Sequence, residues 1–123
     1  MTTCYLKTSQ PSLYQNRVNS PDYQLQLFAE DIIPVSKKTS MISLKISCKM
    51  INNNNIIPFM IIPDESLSLT PIRFSTSPLY INNNDYFVVS FYVDNTSGIT
   101  YNIQYGTPVA KIVYNEKFSL VLA

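Results

Sequence analysis

The carboxylates are the first place to look for chemistry in this sequence. Glu30-Asp31 and Asp64-Glu65 are adjacent pairs, and two carboxyl groups held together can divide acid and base work between them. In an extended chain, however, neighbouring side chains point to opposite faces. Neither pair makes a ready dyad, and both are expected as solvated loop charges. There is no histidine, which removes nucleophilic triads, most proton shuttles and most zinc sites. The two glycines, Gly98 and Gly106, sit in turn-like settings and cannot build a phosphate-cradling loop. No catalytic residue, metal site or cofactor is therefore expected.

Cys4 and Cys48 are the only cysteines. Cys48 occupies an apolar position in an alternating run and is expected as a reduced core thiol. Cys4 is expected as a free surface thiol. Asn95-Thr96-Ser97 matches a glycosylation sequon, which matters only in a secreted chain. The start, Met1 to Leu6, lacks the basic and apolar stretches of a signal peptide, and no apolar run reaches the ~18 residues of a membrane helix. The expectation is a reducing intracellular compartment and no membrane insertion. Val121-Leu122-Ala123 closes the chain with an apolar end of the kind a PDZ groove takes by strand addition, although an ordinary last strand is the favoured reading.

A length of 123 residues fits one domain, and 46% hydrophobic content is enough for a core. The net charge of +1 leaves no electrostatic footprint for nucleic acid. The longest basic run, Lys37-Lys38, reads as a short solvated loop. The Asn-rich runs at 52–55 and 82–84 have AT-rich codons, as in the genomes of some DNA viruses.

The elements that must position these residues are strands. Residues 41–50 alternate cleanly, with Ile42, Leu44, Ile46, Cys48 and Met50 on one side, as in a half-buried antiparallel strand. Tyr23, Leu25 and Leu27 alternate with Gln24 and Gln26. Residues 86–94 are β-branched and aromatic, the Asp94-Asn-Thr-Ser-Gly98 cluster reads as a turn, and Ile99, Tyr101 and Ile103 alternate after it. Residues 105–108 turn the chain into a strand from Val109 to Tyr114, and Phe118, Leu120 and Leu122 close it. The apolar segment 56–62 predicts a buried strand with an edge, bulge or strand end at Pro58. Residues 1–19, being polar, are expected as a loose arm or an edge strand. Short strands and frequent turns predict an all-β barrel or sandwich.

The last third also resembles a known family. Val88-Val-Ser-Phe-Tyr-Val-Asp-Asn95, then Tyr101-Asn-Ile-Gln-Tyr-Gly-Thr-Pro-Val-Ala-Lys-Ile-Val-Tyr114, resembles the trimeric dUTPases. In that family an alternating strand ending in Asn precedes Gly-Asp-Arg-Ile-Ala-Gln-Leu-Val. Gly106, Val109, Ala110, Ile112 and Val113 fall on the pattern. Tyr23 to Pro34, Ile62 to Ser68 and Ser77 to Tyr86 resemble the earlier motifs, in the family's order. The resemblance covers roughly residues 20–115. It implies a single jelly-roll or distorted-barrel domain of antiparallel strands that assembles as a homotrimer.

The departures from that pattern imply a member without catalysis. The family's phosphate-contacting Arg-Ser falls on Asp64 and Glu65, with Ser66 following. Two anions there would repel a triphosphate. The Asp that activates water falls on Asn82 or Asn83, and an amide cannot take that proton. The acid near the magnesium falls on Gln24, and the fourth-motif Gln falls on Lys111. Tyr86 matches the Tyr that stacks on deoxyribose. The glycine-rich closing motif has no counterpart. The function so implied is that of a catalytically inactive viral protein binding a host or viral protein. The alternatives are a trimeric virion or assembly component, and residual dUTP hydrolysis or nucleotide binding.

Overall fold

The structure, a computed structural model, describes residues 1–36 and 38–123, so the Lys37-Lys38 pair lies in part outside the described residues. The chain is all-β. Its strands are β1 (Thr2–Lys7), β2 (Asp22–Phe28), β3 (Ile33–Val35), β4 (Ser40–Asn52), β5 (Asn55–Ile57), β6 (Phe59–Pro63), β7 (Ile72–Phe74), β8 (Leu79–Ile81), β9 (Phe87–Asn95), β10 (Tyr101–Ile103) and β11 (Pro108–Leu122). Nine of them form one curled sheet in the order β7-β9-β4-β1-β11-β6-β8, with β2 also on β11 and β5 also on β4. The other two, β10 and β3, pair separately.

The alternation along β4 survives as expected, with Ile42, Leu44, Ile46, Cys48 and Met50 all buried. It survives in spite of an irregularity. Between Ser43↔Ser90 and Ser47↔Val88, β4 spends four residues where β9 spends two. Because both counts are even, the period-two pattern keeps its phase across the bulge. Lys45 absorbs the distortion at φ 59, and its amide donates to the Ser43 hydroxyl. At the far end of β4 the Asn run turns the chain. Asn53 and Asn54 both have positive φ, 51 and 63, between the paired Asn52 and Asn55. That is the two-residue hairpin geometry Asn tolerates best after glycine. Pro58 breaks the next apolar segment into β5 and β6, a strand end as expected.

Residues 1–19 depart from expectation. They are neither an arm nor an edge, because β1 lies in the middle of the large sheet, antiparallel to β4 and parallel to β11. Its inward positions are Thr2, Cys4 and Leu6, all buried, so a segment polar by composition is amphipathic by period. Cys4 is consequently a buried thiol and not a surface one. The β1–β11 pair is also the exception to an otherwise antiparallel sheet. No loop joins these first and last strands, so their parallel pairing needs no crossover connection. The following residues pack against β2. Tyr14 is buried, its ring meets Phe28 edge-on at 5.4 Å, and its hydroxyl accepts from the Phe28 amide at 3.2 Å. Arg17 holds the passage into β2 by donating to the carbonyls of Ser20, Asp22, Gln24 and Phe118.

β11 is the seam of the fold. Ala110 pairs with Leu27 on one edge and Pro63 on the other, while Phe118 pairs with Asp22 and Thr2. The segments 109–114 and 118–122, read separately from sequence, are one strand with a register shift between Val113 and Phe118. Leu25, Leu27, Ile61, Val109, Ile112, Phe118 and Leu120 bury their side chains in the same core as β4 and β9.

Candidate functional site

Three segments far apart in sequence meet on the outside of the seam. Leu25 and Leu27 face the core, so Gln24 and Gln26 project from the outer face of β2. Lys111 projects from β11, directly opposite Gln26 in the ladder. The chain leaving β6 brings Asp64, Glu65 and Ser66 to the same place at the start of a 3-10 turn, Glu65–Leu69.

Each side chain in this cluster has at least one partner. Asp64 is only 3% exposed. One carboxylate oxygen caps the turn by accepting from the Ser66 amide at 2.9 Å, and the other accepts from Gln26 Nε2 at 3.1 Å. The Asp64 amide donates to the Val109 carbonyl at 3.0 Å, and the Ser66 hydroxyl donates to the Pro108 carbonyl at 2.6 Å. Lys111 Nζ lies 2.6 Å from a Glu65 carboxylate oxygen and 3.5 Å from Gln24 Oε1. The hydrogen bond from Lys111 holds the Glu65 carboxyl below the usual carboxylate range.

Asp64 is therefore not the solvated loop charge expected from sequence. It is buried because a 3-10 turn needs an N-cap where β6 ends against β11. Glu65 does point to solvent, at 76% side-chain exposure. The other pair is also engaged. Glu30 accepts from the Thr8 hydroxyl and, at 3.2 Å, from Ser9, while Asp31 accepts from the Ile32 amide.

The remaining sequence candidates lie elsewhere. Asn82 and Asn83 are exposed in the link between β8 and β9. Tyr86, half-buried at the end of that link, carries Lys7 Nζ 4.0 Å and Lys49 Nζ 4.4 Å from its ring centroid. Burial, followed by the neighbouring Asp85 charge, raises its phenol pKa. Asn95 of the sequon is buried, its amide donating to the Val35 and Ile99 carbonyls and its oxygen accepting from Ser97. At the C-terminus Val121 is exposed and Leu122 half-buried in β11, and the Ala123 amide donates to the Leu6 carbonyl at 2.8 Å. One edge of the tail is thus already occupied by β1.

Sequence reasoning passed over Gln26, Lys7 and Lys49. Gln26 had a signal, since it stands two residues from Gln24 on the same face of a strand. The lysines had none, because their common ring belongs to a third segment. Among the described residues, no group of three or more His, Cys, Asp or Glu is placed to hold a metal ion, and no helix is long and apolar enough to cross a membrane. The chain matches no protein-family model and no curated protein.

Proposed function

We propose that this chain is a catalytically inactive, dUTPase-like viral protein that acts by binding a protein partner, with a homotrimer as its working assembly. The observation that carries the reading is the cluster around Asp64. The positions that the resemblance assigns to phosphate and magnesium, Asp64, Glu65 and Gln24, and to the fourth-motif Gln, Lys111, converge from three segments, as a former site would. Their polar atoms nevertheless bond within the protein, Lys111 to Glu65 and Gln24, and Asp64 to Gln26 and the Ser66 amide. Two carboxyl groups against one ammonium disfavour a triphosphate, and Asn82 or Asn83 cannot act as a base in place of Asp.

Surface for a partner exists away from this cluster. A cleft of about 540 Å³ runs between Ile57, Pro58, Met60, Tyr80 and Val113, and Tyr80 stands 76% exposed at its edge. Exposed tyrosine beside aliphatic side chains is the composition favoured at protein interfaces. On the outside of β4 and β9, Met41 and Tyr92 are cross-strand partners and both are exposed.

The test is calorimetry with dUTP and with dCTP, each with magnesium, beside light scattering of the protein alone. No preference for the uracil nucleotide and a mass of three chains support the reading. A uracil-specific heat overturns the loss of the site, and a monomer overturns the trimer.

A further inference from the structure

We infer that Lys7, Lys49 and Tyr86 form a binding site for a doubly charged phosphate, free or as a phosphate monoester. β1 and β4 are neighbours, with Tyr5 opposite Lys49 and Lys7 opposite Ser47. Lys7 and Lys49 are therefore diagonal neighbours on the outer face of the sheet, a spacing of about 7–8 Å. The chain entering β9 lays Tyr86 against both, and the two ammonium groups sit 4.0 and 4.4 Å from the one ring centroid.

That arrangement is electrostatically incomplete. The face of a phenol ring attracts a cation through its quadrupole but carries no net charge, so one ring orients two ammonium groups without neutralising either. Among the described residues, the single ion pair within 4.0 Å is Lys111–Glu65, and neither Lys7 nor Lys49 has a carboxylate at that distance. The acid nearest in sequence, Asp85, turns back to accept from the Tyr86 amide at 2.8 Å. Two ammonium groups gathered at one ring, with no carboxylate among the described residues within 4.0 Å of either, match an anion of charge near −2, which a phosphate monoester carries at neutral pH. Each ammonium has three N–H donors and no acceptor, so donors remain for phosphate oxygens while the ring fixes the side chains.

Arg17 and Arg73, the chain's only arginines, are not available for this role. Arg17 spends its guanidinium on the carbonyls around Asp22 and Phe118, and Arg73 on those of Leu67, Thr70 and Ile72. Lys111 is neutralised by Glu65. None of the site's residues belongs to the Asp64 cluster, although Tyr86 is also the position that the resemblance matches to a deoxyribose-stacking Tyr.

The experiment titrates the whole chain with inorganic phosphate at constant ionic strength, using chloride as the control and following lysine Nζ-adjacent resonances by NMR. Wild type should show saturable shifts at Lys7 and Lys49 with phosphate and none with chloride. K7Q and K49Q should each weaken binding by about 10-fold or more, the loss expected for a charged hydrogen bond. Y86F, which keeps the ring, should bind like wild type, whereas Y86L should weaken binding. A phosphoserine peptide beside its serine counterpart separates the two sources. Tighter binding than inorganic phosphate points to a phosphorylated protein segment, and equal binding points to a small phosphate. Absence of saturation, or affinity unchanged in the K7Q/K49Q double variant, overturns the site. Binding here carries no base preference, so it is distinguishable from survival of a nucleotide site.

Discussion

Lys111 Nζ stands 2.6 Å from the Glu65 carboxylate, across a ladder that joins β11 to β6. Lys111 is largely covered, at 13% side-chain exposure, while Glu65 is open to water. On the proposed reading, Glu65 stands where the resemblance puts a phosphate contact, and Lys111 engages it instead. Because the Lys111 hydrogen bond depresses the Glu65 pKa below its ordinary 4.5, the contact favours folding above that pH. The contribution fades as pH falls through the depressed value. NMR titration should show the Glu65 carboxyl titrating below 4.5, and K111M should return it towards that figure. An unchanged titration in K111M would show that the pair does not persist in solution.

Asp64 is predicted to matter for stability and not for turnover. D64A removes the cap of the 3-10 turn and leaves Gln26 without its acceptor. The expected cost is about 1–2 kcal/mol, the range for N-cap loss. D64N keeps an oxygen for the Ser66 amide and should cost less. Urea unfolding of the two variants checks the order.

The position of β1 makes the first residues indispensable. L6A empties a fully buried site between β4 and β11, for which about 2–5 kcal/mol is expected. Deleting residues 1–7 should abolish the folded NMR spectrum. A folded deletion variant would mean that the sheet closes without its central strand.

The buried thiols predict alkaline lability. Burial pushes Cys4 from 9.0 up to about 12, and Cys48 is raised for the same reason. Above pH 9 the unfolded chain releases these protons while the folded chain holds them. The stability from neutral burial is complete below pH 9 and is lost as pH climbs towards 12. Unfolding midpoints measured from pH 8 upwards should fall accordingly. Neither thiol should react with a disulfide reagent at pH 8 until denaturant is added.

Much of this fold is legible in the sequence where period two is unbroken. Residues 41–50 announce β4, and the even-numbered bulge at Lys45 does not disturb the pattern. β1 is harder to read because only three of its six side chains face inwards, and Thr2 and Cys4 are not conspicuous hydrophobes. The misplacement of Cys4 follows from that. The continuity of β11 is hidden by Asn115, Glu116 and Lys117, which cross an irregular stretch of the ladder exposed to water. At the site, the meeting of residues 24, 64–66 and 111 depends on which strands flank β11, which no local pattern states. The burial of Asp64 is hidden too, because its partner Gln26 lies on another strand and its capping role depends on where β6 stops. The Tyr86 arrangement needs three segments at once and leaves no local signature.

The central proposal is that the Asp64 cluster turns over no nucleotide, and phosphorus NMR of dUTP with magnesium and concentrated protein tests it most directly. The account predicts that the triphosphate resonances persist, with no pyrophosphate above the protein-free control. Accumulation of pyrophosphate in proportion to protein concentration would contradict it.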